Sequence, residues 1–376
     1  MKFQTRFTRR KFLQSTAAAC AMPACLATGD VVGFPGRNDL LLTEARYYEK
    51  LPNRKIKCNL CPRECEIDDL ERGYCGVREN RNGTYYTLVH SRPCSVHIDP
   101  IEKKPLFHFL PGSMAFSVAT AGCNVECKFC QNWQISQVRP EQIPTYDLPP
   151  YRLAKEAKSG NCKSIAYTYT EPVIFTEYMY DSAAAGNELG VRSVMISNGY
   201  IQAKPMKDLC KVLAAVKVDL KAFTERFYKE LVMGELRPVL DTLVLLRKEN
   251  MWTEIVYLVI PGENDNPDEL RKLCKWVFSE LGPDTPIHFT RFYPQYRLKN
   301  LPPTPKKTLM TAYQIGKEAG LNFVYVGNIP GSKGENTVCP NCGKTVIERI
   351  GFTIIKNDLV GSKCKFCSSE IAGVWE

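Results

Sequence analysis

Residues 115–133 read AFSVATAGCNVECKFCQNW. The first six are an apolar run of strand length. Gly122 then lets the backbone turn sharply as it leaves the strand. Three thiols follow, Cys123, Cys127 and Cys130, spaced C-x3-C-x2-C, with the aromatic Phe129 just before the last. Three soft ligands on one short loop hold three corners of a cubane iron–sulfur cluster, which ordinarily takes four cysteines. The fourth iron is then open to a substrate or cofactor.

Working outward from this loop, apolar runs rich in β-branched or aromatic residues recur at 164–168, 191–197, 216–220, 254–260, 287–290 and 323–326. Helical patterns lie between them, such as PVIFTEYMYDSAAAGNEL and KKTLMTAYQIGKEAG, several ending near Gly. Repeated strand–helix units imply α/β architecture, a parallel sheet with helices outside. Six or seven units predict a partial or full TIM-like (β/α) barrel over 113–330. In such barrels chemistry sits at the C-terminal ends of the strands. The three cysteines lie there, as do Thr170-Glu171-Pro172 and Ser197-Asn198-Gly199.

Length and composition bound the rest. A chain of 376 residues, 44% hydrophobic and 24% charged, has enough apolar mass for one large domain with small satellites. Of the net charge of +10, five positive charges (Lys2, Arg6, Arg9, Arg10, Lys11) fall in the first 27 residues, which hold no acid. The weak surplus left does not call for nucleic acid. Residues 1–27, with Arg9-Arg10 ahead of an Ala-rich run, read as a twin-arginine export signal. That places the protein outside the cytoplasm, or in it if the signal is not functional. The run is too short and too weakly apolar for a membrane span. Residues 28–57 are expected to be a linker with one helical patch.

Eleven of the seventeen cysteines fall in three tight clusters, a pattern of metal ligation rather than disulfides. Over 58–112 the chain is Cys-rich, with Cys58, Cys61, Cys65 and Cys75 spaced C-x2-C-x3-C-x9-C. Four thiols suit zinc or a second four-iron cluster, and the spacing leaves both open. Over 331–376, Cys339, Cys342, Cys364 and Cys367 form C-x2-C…C-x2-C around a predicted strand hairpin, a zinc-ribbon-like module. Such a module is too small to fold without its metal.

With these motifs in place, the chain resembles the radical S-adenosylmethionine (radical SAM) superfamily. More narrowly it resembles the radical enzyme of the AmmeMemoRadiSam system, through DPIEKKPLFHFLPGS, AGCNVECKFCQNW, YTYTEP, VDLKAF, HFTRFYPQY and the terminal AGVWE. A looser likeness extends to the activating enzymes of glycyl-radical enzymes, pyruvate formate-lyase among them. The resemblance implies a [4Fe–4S] cluster on Cys123, Cys127 and Cys130, S-adenosylmethionine on its open iron, and reductive cleavage to a 5′-deoxyadenosyl radical that abstracts hydrogen from a substrate. It further implies that Glu171 faces the cofactor's amino group, that Ser197 and Asn198 face its ribose, and that Asp219 and Lys221 lie beside its carboxylate. Each has a plainer reading: a helix-terminal carboxylate for Glu171, turn chemistry for Ser197-Asn198, a salt bridge for Asp219-Lys221. His288 faces cofactor or substrate, or is structural. Phe129 and Trp133 shield the cluster or are core aromatics, and Glu102-Lys103-Lys104 is a barrel-mouth contact or a solvated run. Partners implied are a low-potential electron donor and Memo-like and AMMECR-like proteins. The alternatives are a glycyl-radical activase and a non-catalytic iron–sulfur or zinc protein that transfers electrons. An incomplete three-cysteine set favours the enzyme, because electron carriers usually complete their ligands.

Overall fold

The computed structural model describes residues 31–32 and 42–376. The twin-arginine segment lies outside the described residues. The apolar runs become strands β1 (Ser95–Pro100), β2 (Met114–Ala119), β3 (Ser164–Tyr167), β4 (Arg192–Ser197), β5 (Ala215–Asp219), β6 (Trp252–Val259), β7 (Ile287–Arg291) and β8 (Val324–Gly327). From β2 to β8 they pair in parallel and in sequence order, and β1 adds an antiparallel edge beside β2. Strands buried on both faces are continuous apolar runs rather than alternating ones, as β3 shows.

Helices α1 (Pro150–Ser159), α2 (Thr176–Glu188), α3 (Ala203–Cys210), α4 (Leu236–Lys248), α5 (Pro267–Trp276) and α6 (Lys306–Glu318) form the crossovers. Their starts follow from local chemistry. Pro150 and Pro267 stand at first helical positions, and the Asn266 side chain accepts from the Asp268 amide. On α1, Leu153, Ala154 and Ala157 form the buried stripe, the spacing of one helix face.

The sheet does not close. Among the described residues β8 and β1 are unpaired with each other, so the expected barrel is a partial one. Its gap is filled by the segment after β1 and by the C-terminal module. Phe107 packs with Phe323 and Tyr325 of the β8 edge and with Cys339, Val346, Ile347, Cys364 and Ile371. Glu254 on β6, fully buried, accepts from the amides of Phe107 (3.0 Å) and His108 (2.8 Å). The His108 carbonyl accepts from the Val374 amide at 2.7 Å. The open edge of β8 is thus covered.

The C-terminal module is a three-stranded antiparallel sheet containing the expected hairpin, Thr345–Ile350 against Thr353–Asn357. The N-terminal region departs from expectation. Tyr48–Lys50 pairs with Ile56–Cys58, and Thr43–Glu44 with Thr84–Thr87. Residues 42–57 are therefore part of the Cys-rich module, and the expected helical patch is extended. Its aromatic and β-branched residues find strand partners there, which outweighs local helix propensity.

Candidate active site

The cysteine loop leaves β2 through Gly122, whose φ is +93°. A Cβ there would lie 2.6 Å from Val77 Cγ1 and 2.7 Å from the Cys75 carbonyl oxygen, so both conformation and space demand glycine. The loop is pinned on both sides. The amides of Glu126 and Lys128 donate to the carbonyls of Val232 (3.0 Å) and Leu231 (2.9 Å). Arg63 Nε donates to the Asn124 carbonyl at 2.7 Å.

Cys123, Cys127 and Cys130 line one cavity of about 520 Å³, together with Phe129, Glu171, Ser197, Asn198, Asp219 and Lys221. Lys104, Lys217, Tyr169 and Phe352 also line it. None of the three thiols is in a disulfide. They are the cysteines of this lining, so the donor set fits a cubane cluster, which they would hold by three of its irons. Burial pushes the Cys127 thiol up to about 12, so a bound metal is what would hold it as thiolate.

The strand ends build a polar wall. Glu171 Oε1 accepts from Ser197 Oγ (2.6 Å) and the Val173 amide (3.1 Å), and Oε2 from the Asn198 amide (2.8 Å). Burial nevertheless raises its carboxyl to about 7, since three neutral donors do not replace bulk water. Asn198 Nδ2 donates to Asn124 Oδ1 at 2.8 Å, and Asn124 in turn donates to the Tyr200 carbonyl at 2.8 Å. Ser197 and Asn198 therefore hold Glu171 and the cysteine loop in register.

On β5, Lys217 and Asp219 point the same way, two residues apart, and Lys221 follows. Asp219 bonds Lys217 and, at 3.0 Å, Lys221. Burial alone would raise the Asp219 carboxyl, but the two ammoniums bring it to about 2. Behind Lys104 and Tyr169, Asp99 accepts from Lys103 and Lys104, each at 2.6 Å, and from the Tyr169 hydroxyl. Lys104 is 2% exposed, and burial lowers it to about 8 against the pull of Asp99.

Two expected contacts lie elsewhere. His288 is buried below the cavity, its Nε2 2.8 Å from Glu254 Oε2 and its ring stacked on Tyr325. It braces β6 and β7 and does not line the cavity. Trp133 stacks on Tyr296 at 5.3 Å on the outer surface. Lys217 was not singled out from the sequence, and Tyr169 was named only within the strand-end run Tyr169-Thr170-Glu171, without its contact to Asp99. Lys217 had a legible signal: a charge inside the apolar run AVKVD, on the same strand face as Asp219. Tyr169 had none, because its partner Asp99 is 70 residues away.

The Cys339 quartet is set apart. Cys339–Cys367 and Cys342–Cys364 sulfurs are 3.6 and 3.7 Å apart, and all four lie within 4.8 Å of one another. A tetrahedral zinc with bonds of about 2.3 Å spaces its sulfurs by about 3.8 Å.

The radical SAM superfamily model matches residues 117–276, from inside β2 to the end of α5. The chain belongs to the radical SAM superfamily. A protein of Methanocaldococcus jannaschii, the uncharacterized protein MJ0808, is 46% identical over 332 residues, 88% of this chain and 99% of that one. The pyruvate formate-lyase 1-activating enzyme of Escherichia coli is 23% identical over 223 residues, 54% of this chain and 89% of that one. Among solved structures, SuiB of Streptococcus suis bound to S-adenosylmethionine aligns at 12% identity with a TM-score of 0.46, over 61% of this chain and 53% of that one. Membership in the radical SAM superfamily implies an enzyme with a [4Fe–4S] cluster and S-adenosylmethionine. No helix among the described residues is long and apolar enough to cross a membrane.

Proposed function

We propose that this radical SAM chain cleaves S-adenosylmethionine reductively at a cluster held by Cys123, Cys127 and Cys130. The observation that carries the reading is the single cavity shared by those thiols, Glu171 and the Lys217–Asp219–Lys221 row. When bound, the cluster and cofactor supply one-electron cleavage of a carbon–sulfur bond and a 5′-deoxyadenosyl radical that takes a hydrogen atom from the substrate. The protein does the rest. Glu171, kept anionic by an ammonium in place of water, accepts from the cofactor's amino group. Lys221 and Lys217 offer cations to its carboxylate, and Asp219 holds both in place. Ser197 and Asn198 present polar edges to the ribose. Phe129, 3% exposed and packed on Phe227, keeps water from the thiols. Lys104 and Tyr169, both held by Asp99, face the substrate. Zinc in the Cys339 quartet is supported by its sulfur spacing.

The test is anaerobic incubation of the reconstituted chain with S-adenosylmethionine and a strong reductant. Formation of 5′-deoxyadenosine and methionine is expected. An intact cluster that forms neither overturns the reading.

A second reading, activation of a glycyl-radical enzyme, is supported by the similarity to pyruvate formate-lyase activating enzymes. It predicts a glycyl-radical signal when a candidate protein substrate is added. The AmmeMemoRadiSam setting, with Memo-like and AMMECR-like partners, predicts instead that label from the abstracted hydrogen tracks to a product made with those proteins. Export by the twin-arginine route is tested by the N-terminus of the mature chain.

A further inference from the structure

Cys58, Cys61, Cys65 and Cys75 form a second thiol quartet, and its geometry sets it apart from the C-terminal one. Among the described residues the Cys339 quartet is the set with all ligand atoms within 4.8 Å. Cys58, Cys61, Cys65 and Cys75 are gathered more loosely, as are Cys123, Cys127 and Cys130, and both groups pack into the same core cluster. One zinc draws four sulfurs to about 3.8 Å. A cubane binds each sulfur through a different iron and so spreads them wider. The spacing agrees. Zinc ribbons present two C-x2-C knuckles, as in the C-terminal module. The N-terminal set instead places three thiols on one eight-residue loop, C-x2-C-x3-C, the reverse of C-x3-C-x2-C at 123–130. Cys75 supplies the fourth corner.

The surroundings are built for such a group. The Cys58 amide donates to the Cys65 carbonyl at 2.9 Å, closing the loop on itself. Tyr85, 1% exposed, brings its hydroxyl to the same side of Gly73 as the Cys75 sulfur, and Arg78, also 1% exposed and paired with Glu177, lies 5.8 Å from the Tyr85 ring centre. A buried hydroxyl and a buried cation close to the sulfurs are what a negatively charged thiolate cluster needs.

The site also abuts the catalytic loop. Arg63, between Cys61 and Cys65, reaches Asn124, next to Cys123. Gly122 leaves no room for a Cβ against the Cys75 carbonyl. Cys75 and Cys123 line one open groove.

We propose that Cys58, Cys61, Cys65 and Cys75 hold a second [4Fe–4S] cluster that passes electrons to the cluster on Cys123, Cys127 and Cys130. One electron enters from a low-potential protein donor of the ferredoxin or flavodoxin class. It reduces the quartet's cluster by one, then moves on, returning that cluster to its oxidised state. The relay, though not the metal assignment, rests on the radical SAM reading above.

The full chain is reconstituted anaerobically with iron and sulfide, and metals are counted. About eight irons and one zinc per chain are expected. The triple variant C123A/C127A/C130A keeps about four irons and a reducible cluster signal by electron paramagnetic resonance. Four irons with two zincs in the parent, or no iron in the triple variant, overturns the second cluster. Removing Cys61 and Cys65 (C61A/C65A) abolishes that signal and slows reduction of the remaining cluster by reduced flavodoxin about tenfold or more. An unchanged rate overturns the relay. If C61A/C65A does not fold, the triple variant and the parent metal count still decide the site. Eight irons without 5′-deoxyadenosine overturns the catalytic reading and leaves this one standing; 5′-deoxyadenosine from a chain with four irons and two zincs does the reverse.

Discussion

At the scale of single residues, Glu171 and Gly122 decide most about the site. Glu171 is buried with neutral donors, so its carboxyl titrates near 7 rather than in the ordinary acid range. The folded chain therefore takes up a proton before the unfolded chain does. Stability from this group is present below the ordinary glutamate range and is lost as pH rises through about 7. Cofactor binding runs the other way, because the anion is the form that accepts from an ammonium. Affinity for S-adenosylmethionine is expected to fall as pH drops below about 7, and E171Q to bind weakly with a flat profile, as equilibrium binding across that range would show. G122A puts a methyl group into Val77 and the Cys75 carbonyl at positive φ. It is expected to cost about 2 kcal/mol or more and to lower iron incorporation, read by denaturation and metal content.

Among the elements, β6 does more than carry a strand's share of the sheet. Its Glu254 is completely buried and serves two backbone amides, the Trp252 indole (3.3 Å) and His288. That carboxylate fastens the segment after β1 across the open side of the sheet. E254A would leave those donors unmet and is expected to destabilise the fold by about 3 kcal/mol or more, measured by chemical denaturation. The partner His288 shows what element-level reading misses. A histidine near the end of a strand reads as a site residue, but its depth along β7 puts it below the cavity. The Lys217–Asp219 row shows the opposite. The strand's period of two made the shared face of 217 and 219 legible, and the apolar setting marked both as inward.

For the whole molecule, the partial barrel depends on what covers its open edge. The C-terminal module packs on Phe323 and Tyr325, and its hairpin brings Phe352 to the rim of the cavity. A module this small holds together through its metal. Substituting Cys342 by serine, or chelating the metal, is expected to uncover β8 and Phe107. The measurable results are a lower thermal midpoint and concentration-dependent light scattering, with the bound metal lost in step. Unchanged melting after metal loss would show that the module is not what seals the sheet.

The sequence by itself determined the order of strands and helices, the C-terminal hairpin, the three cysteine clusters and the strand ends that carry Glu171, Ser197, Asn198, Asp219 and Lys221. These are local: they follow from apolar period, turn residues and ligand spacing within a few residues. Tertiary structure decided what depends on distant neighbours. It left the sheet open and filled the gap from the chain's far end, and it drew residues 42–57 into the Cys-rich module. It took His288 and Trp133 out of the cavity and brought Lys104 and Tyr169 into it through Asp99. It also drew the four sulfurs of the Cys339 quartet within 4.8 Å of one another. The physical reason is common to all of these. Burial and pairing energies are set by which surfaces meet, and residues far apart in the chain carry no local mark of the surface they will meet.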